Sequence, residues 1–294
     1  MKKSIQFITI VCLVSWLTAG VAFLCGLRHT GSLGYTVFAS AYMLLPALCA
    51  VVLQKIHGEP LFKGLGVSLK VNGWFGVAII TPILLAFAAS GLSLWLPGIS
   101  FSGTCEGWLS KLSAEQAAVA TKQLSQFSPV ILLILQIVSA IFAGCTVNAL
   151  FALGEELGWR GYLLQSLKGK KFWHMALLTG IVWGFWHFPL ILMGHNYPQH
   201  PVAGVFMMVI FCVLLTPVMT YLVLKSKSVI TAAIYHGTLN AIAGISTLYL
   251  AGGNDLTNGT TGLAGFIALA IITSCFVLYD SYVTKEKIFF SKIK

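Results

Sequence analysis

Apolar residues in this chain run in long unbroken stretches separated by short polar ones. An α-helix rises about 1.5 Å per residue, so roughly 20 apolar residues cross the roughly 30 Å of bilayer hydrocarbon. Eight stretches predict such spans, at about 4–26, 34–54, 74–96, 129–153, 172–192, 203–224, 229–250 and 262–283. Continuous runs predict helices; the strands of a membrane barrel would alternate residue by residue. Met1-Lys2-Lys3 before the first run resembles the opening of a signal peptide. Ile5–Gly26 is long for its apolar region and Gly20-Val21-Ala22 is only a passable cleavage site, so the run is read as an uncleaved anchor. The segment of about 97–127 begins with Pro97-Gly98, carries a polar helical stretch from Ser110 to Gln126, and is expected to be the one sizeable external loop. The segment near 55–72 is expected to skim the inner surface. Neither an internal repeat nor a separate soluble domain is visible. The reading is one all-α polytopic membrane domain: about 1–127 with three spans and the external loop, about 128–250 with four core helices, and about 251–294 with the last helix and a basic tail.

Composition agrees. Of 294 residues, 57% are hydrophobic and 9% charged, and the mean hydropathy is +0.89. Soluble domains carry about 25% charged residues, so a soluble fold, a disordered chain and a disulfide-stapled secreted module are excluded. The net charge of +10 is not a nucleic-acid signature, because the cations form short clusters between apolar runs and no basic stripe interleaved with aromatics. With the N-terminus inside, 15 of the 18 lysines and arginines fall on cytoplasmic segments, leaving Arg28, Lys111 and Lys122 outside. This bias predicts both termini in the cytoplasm, with the clusters facing anionic headgroups of a cell membrane expected to be bacterial. The seven cysteines are scattered singletons with no Cys-x-x-Cys pair, and read as packing residues.

Ionisable groups at membrane depth are costly and hence candidates for function. Glu155 and Glu156 are adjacent, and Glu156 and Arg160 stand at i and i+4, where they can pair. Glu155 lies about 100° around the helix and can face a different neighbour, free for chemistry. The bland alternative is a salt-bridged helix end at the inner interface. Trp183-Gly184-Phe185-Trp186-His187 places a histidine on an aromatic face, which alone reads as a hydrogen-bonded core residue. His236 and Asn240, again i and i+4, can address one point or act as polar glue between helices.

Depth connects them. Counted from the inner boundary, Glu155 lies roughly 20 Å in, His187 roughly 22 Å, His236 roughly 12 Å and Asn240 roughly 18 Å. Three helices thus bring polar groups to a similar layer. A straight helix from 129 to 168 would be roughly 60 Å long. It must tilt, bend near Ala143-Gly144, or carry Glu155 nearer the surface.

Glu155-Glu156…Arg160, Trp183…His187 and His236…Asn240, in that order, resemble the signature of the CAAX protease and bacteriocin-processing family of intramembrane endopeptidases. Its pattern is Glu-Glu-x-x-x-Arg, an aromatic separated from a His by three residues, and His-x-x-x-Asn. Trp183 stands where the family more typically has Phe. The resemblance covers about 150–245, with the first three spans adding only topology. It implies a glutamate-dependent endopeptidase in which Glu155 is the general base, His187 its partner in activating water, and His236 and Asn240 the oxyanion stabilisers. Glu156 and Arg160 would hold the helix and tune Glu155, or hold the substrate backbone. A desolvated carboxylate is a stronger base, which suits that role. A cavity open to the cytoplasm would admit water and an extended peptide.

Two histidines and a glutamate could also ligate zinc, but there is no His-Glu-x-x-His helix, and catalysis without metal or other cofactor is expected. Trp159, Trp183 and Trp186 are candidate cavity-lining residues. His29, His57, His174, His195 and His200 are read as interfacial or solvated, and Gly252-Gly253-Asn254-Asp255 as a turn. The expected partners are the lipid bilayer and a peptide or protein substrate at the membrane, such as a peptide precursor. The rival readings are a non-enzymatic immunity or scaffold protein of the same fold and a zinc-dependent intramembrane protease. A proton-coupled transporter would show paired half-sequences with broken helices, which are absent.

Overall fold

The computed structural model describes residues 2–27, 32–110 and 112–293. The readings of Arg28 and Lys111 as external charges, of His29 as interfacial and of Lys294 as internal lie outside the described residues. The chain is helical nearly throughout. Six helices are long and apolar enough to cross a membrane: α1 (Lys2–Leu24), α2 (Leu33–Ile56, with a turn at Met43-Leu44), α3 (Gly73–Ser93), and, further along, α8 (Pro201–Ser226), α9 (Val229–Leu248) and α10 (Leu263–Thr284). Between them lie α4 (Ala114–Leu124), α5 (Pro129–Cys145), α6 (Val147–Glu156) and α7 (Phe172–Trp186).

All eight expected segments are helical, yet two of them are not simple spans. The pair α4 and α5 is bent by 103° and counts as a seventh crossing only if taken together. The expected span at 129–153 is broken at Thr146, whose φ of −120° and ψ of −98° end α5 and start α6. The break resolves the length problem, falling just beyond the Ala143-Gly144 position considered from sequence. A π-helical segment, Leu157–Leu163, follows α6 and carries Arg160; such wide turns recur at functional sites. The expected fifth span contains α7 of only 15 residues, about 22 Å long, and a short helix Phe188–Leu192. The segment expected to form the external loop holds the polar helix predicted from its sequence, α4, opened by a capping box of Ser113 and Gln116. Its start also pairs Ser100–Phe101 antiparallel with Leu250–Ala251, a two-stranded ribbon the apolar pattern did not reveal.

Small residues let the core helices touch backbone to backbone, as membrane helices require where lipid offers no hydrophobic drive. A Cβ on Gly184 or Gly180 of α7 would meet the Val209 or Val213 Cα of α8 at 2.5 or 2.6 Å. A Cβ on Gly237 of α9 would meet the Gly144 carbonyl oxygen at 2.5 Å and Ala149 N at 2.6 Å. These crossings fix α7 and α9, and with them His187 and His236, against their neighbours.

The bundle has two chemically different ends. At one, the loops interlock: Val229 N–H donates to Gly66 O, Phe172 N–H to Ser291 O, Gly169 N–H to Ile293 O, and Asn72 Nδ2 to Ser226 O. Lys3 pairs with Glu59 and Lys225 with Glu286 at this end, which gathers every described lysine except Lys122. At the other end, Asp255 accepts from Gln199 N–H at 2.7 Å and from His200 Nδ1 at 2.6 Å, beside the small ribbon.

Candidate active site

Adjacent positions on one helix separate the two glutamates, as their spacing predicts. Glu156 and Arg160 are fully buried and paired, with Arg160 NH1 3.1 Å from Oε2 and 3.2 Å from Oε1. The same guanidinium donates through NH2 to Thr216 Oγ1 on α8 at 3.0 Å. Glu156 Oε1 also holds His236 Nδ1 at 2.9 Å, tying α9 to α6. An ion pair in a medium this apolar survives only because its hydrogen bonds replace hydration. Glu156 is therefore consumed by structure.

Glu155, 2% exposed, makes no ion pair among the described residues. Its Oε2 accepts the Trp183 indole N–H at 2.7 Å, leaving the other oxygen for the cavity it lines. Trp183 is the hub of the site. Besides holding Glu155, its ring lies 5.8 Å from that of His187, 5.5 Å from that of His236 and 4.3 Å from the Arg160 guanidinium carbon. His187 sits at the C-terminal end of α7, where its Nδ1 is 2.8 Å from Trp183 O. A carbonyl only accepts, so Nδ1 carries the proton and Nε2 keeps its lone pair.

Glu155, His187, His236 and Asn240 line one cavity of about 390 Å³, of a size usual for ligand sites. Trp183 and Trp186 line it as expected. Trp159 does not: it is buried between Phe7 and Trp186, so its role is packing. Glu156 and Arg160 stand behind the wall. His195, expected to be merely interfacial, also lines the cavity.

The sequence reading missed most of the second wall. It comes from α2, through Tyr35, Thr36, Ser40 and Tyr42, and from Asn148 at the start of α6. Tyr42 donates to Trp186 O at 3.2 Å, and Trp186 Nε1 donates to Ser15 Oγ of α1 at 2.8 Å. The first two helices therefore brace the site as well as setting topology. The available signal was the row of hydroxyls within an otherwise apolar span. Among the described residues, no group of three or more His, Cys, Asp or Glu side chains is arranged to hold a metal ion. The lining of the cavity reaches His195, Asn196, Thr260 and Thr261, toward the end away from the described lysines.

Fold and site together define a class: a polytopic helical membrane protein enclosing a polar cavity where a carboxylate, two imidazoles and an amide converge. Residues 127–242, which carry all three motifs, match the Rce1-like family of type II CAAX prenyl endopeptidases. The chain is also similar to "CAAX prenyl protease 2" of Methanococcus maripaludis, with 34% identity over 151 residues, 49% of this chain and 50% of the relative. The chain thus spans about half the length of that curated relative.

Proposed function

We propose that this chain is an intramembrane endopeptidase that hydrolyses peptide bonds of membrane-associated peptides or proteins with a glutamate-activated water. The observation that carries the reading is the division of labour between adjacent glutamates: Glu156 neutralised by Arg160 and His236, Glu155 unpaired and facing a cavity shared with His187, His236 and Asn240.

In this mechanism water binds between Glu155 and His187 Nε2. Glu155 takes one proton as the oxygen attacks the peptide carbonyl carbon, giving a tetrahedral oxyanion. Asn240 Nδ2 and, in its imidazolium form, His236 through Nε2 donate to that oxygen. His236 is pre-oriented for this because Glu156 holds its Nδ1. Collapse breaks the C–N bond, and the proton on Glu155 passes to the leaving nitrogen, yielding a carboxyl and an amine. Every step uses groups of the chain and one water, so we read the reaction as metal-free. The relative's name points to prenylated CAAX substrates as one class; peptide precursors at the membrane are the class we favour.

The test is peptide cleavage by purified protein in detergent or vesicles. Glu155→Gln is expected to lower kcat by about 10²–10⁴-fold, and Asn240→Ala by about 10²–10³-fold, with both proteins folded. Full activity in Glu155→Gln would sink the assignment. Chelators are expected to leave the wild-type rate unchanged; loss restored by zinc would establish the zinc-dependent alternative.

A further inference from the structure

Arg160 leads away from the catalytic cavity. Two of its three guanidinium nitrogens are used, NH1 on Glu156 and NH2 on Thr216. The third, Nε, is buried and meets no acceptor among the described residues, on a side chain only 1% exposed. A buried N–H without an acceptor is rare in a folded chain and calls for a partner. Arg160 does not line the catalytic cavity. It lines a hollow of about 630 Å³ at the lysine-rich end, which shares no lining residue with that cavity.

Three more cations line this hollow, each from a different segment: Lys168 beyond the π-helical turn, Lys227 at the end of α8 and Lys292 in the tail. Backbone hydrogen bonds hold these segments in place. Gly169 N–H donates to Ile293 O, Ile293 N–H to Lys170 O and Val229 N–H to Gly66 O. Glu286, the acidic residue among the described lining, is already paired with Lys225. Like charges gathered by a fixed backbone repel one another unless an anion lies between them. We propose that this hollow binds a phosphate group, from an anionic lipid headgroup or a free phosphate ester, on Arg160 and the ammonium groups of Lys168, Lys227 and Lys292. Phosphate suits the donor set. Its tetrahedral oxygens can be met from several directions at once, by a guanidinium N–H at the inner wall and by lysines acting as point charges. Gln165, also in the lining, adds a neutral donor for an ester oxygen. A bound phosphate would bridge the turn after Arg160, the end of α8 and the tail.

The test uses the full chain and reads its thermal unfolding, because a ligand that binds the folded form raises the melting temperature. In neutral detergent the probes are inorganic phosphate and glycerol 1-phosphate, with sodium chloride at matched ionic strength as the control. In nanodiscs, phosphatidylcholine alone is compared with equal parts of phosphatidylcholine and phosphatidylglycerol. Lys168→Gln with Lys292→Gln removes two of the lysines. Lys227→Asn separately removes the third, since asparagine tolerates the left-handed φ of 58° at that position. Lys55→Gln with Lys63→Gln takes two charges from exposed positions at the same end that do not line the hollow. A saturable rise with a soluble probe, weakened about tenfold or more in affinity by each hollow variant and kept by the Lys55 and Lys63 variant, is the expected result for a free phosphate ester. A rise confined to the phosphatidylglycerol nanodiscs, with the same dependence on the variants, is the expected result for a lipid headgroup; a response to both probes identifies phosphate itself as the recognised group. No rise with either probe, a rise that the hollow variants keep, or one that the Lys55 and Lys63 variant loses equally overturns the proposal. Melting without ligand is expected near the parent value for every variant, since these lysines are exposed, and it confirms that each is folded. No readout is cleavage, so the outcome stands apart from the endopeptidase reading.

Discussion

Trp183 touches Glu155, His187, His236 and Arg160, yet nothing about its spacing announces this. The pattern Trp183…His187 gives a shared helix face, and the likeness to a family that more typically carries Phe there suggests only bulk. The structure adds the indole N–H on Glu155. A charge-assisted hydrogen bond of this kind contributes about 1.5–3 kcal/mol. Trp183→Phe keeps an aromatic ring and removes the donor, so kcat is expected to fall by roughly 10–100-fold with KM little changed. Steady-state kinetics separates this from a packing defect, which would raise KM or lower the yield of folded protein. Glu156→Gln behaves differently. It strands Arg160 and His236, so a loss of about 3–5 kcal/mol of stability is expected, read as a lower detergent melting temperature. The split between Glu155 and Glu156 was legible in the sequence because i and i+4 geometry is local. Tyr35, Tyr42 and Asn148 were not legible as site residues, because their approach to α7 and α9 depends on contacts far apart in the chain.

The helices themselves follow from apolar run length, and six of the eight expected spans have the length and composition to cross. What run length cannot reveal is the exact point at which a helix breaks. Ala143-Gly144 marked the region, and the break itself is at Thr146: its hydroxyl bonds Phe142 O, and the chain restarts as α6 in a direction that brings Asn148 and Glu155 to the cavity. The reason lies on the other side of the contact. Gly144 meets Thr238 so closely that a Cβ would be 2.5 Å from the Thr238 Cα, and Gly237 is as tight against Gly144 O. Two backbones in direct contact leave no room for continuous straight helices carrying side chains. Gly237→Ala must push α9 away from α5 and α6, and His236 moves with it. Overpacking of this kind costs about 1–3 kcal/mol. The expected outcome is a lowered melting temperature together with reduced cleavage. Gly91→Ala, on α3 where nothing lies within 4 Å, should change neither measurement.

Separation of the two ends governs how the whole molecule divides stability from chemistry. The lysine-rich end is a clamp of loops and tail. Gly169 and Phe172 bond the last residues, Phe289 stacks on Tyr221 at 4.8 Å, and the buried Asp280 accepts from Tyr221 Oη and Phe289 N–H. The cavity lies at the other end and draws none of its wall from this clamp. The gathering of basic residues was legible from their order along the chain, since short loops leave little choice of side. Which end of the bundle the cavity lining reaches was not, because depth counted along single helices gives distance from one boundary and says nothing of which neighbours leave a gap. A consequence follows for the tail. Removing residues 287–294 exposes Phe172, Tyr221 and the Asp280 carboxylate and frees the loop around Gly169. A loss of a few kcal/mol is expected, shifting the melting temperature down by roughly 2–4 °C for each kcal/mol. Because α7, α8 and α9 keep their glycine-mediated contacts, kcat per folded molecule should stay near the wild-type value below that temperature. Thermal denaturation and active-site-normalised cleavage, run on one preparation, measure both. A truncated chain of unchanged melting temperature would show that the clamp is not what holds this end. One that melts normally but cleaves poorly would show that the two ends are coupled through α8, whose Thr216 receives the Arg160 hydrogen bond midway between them.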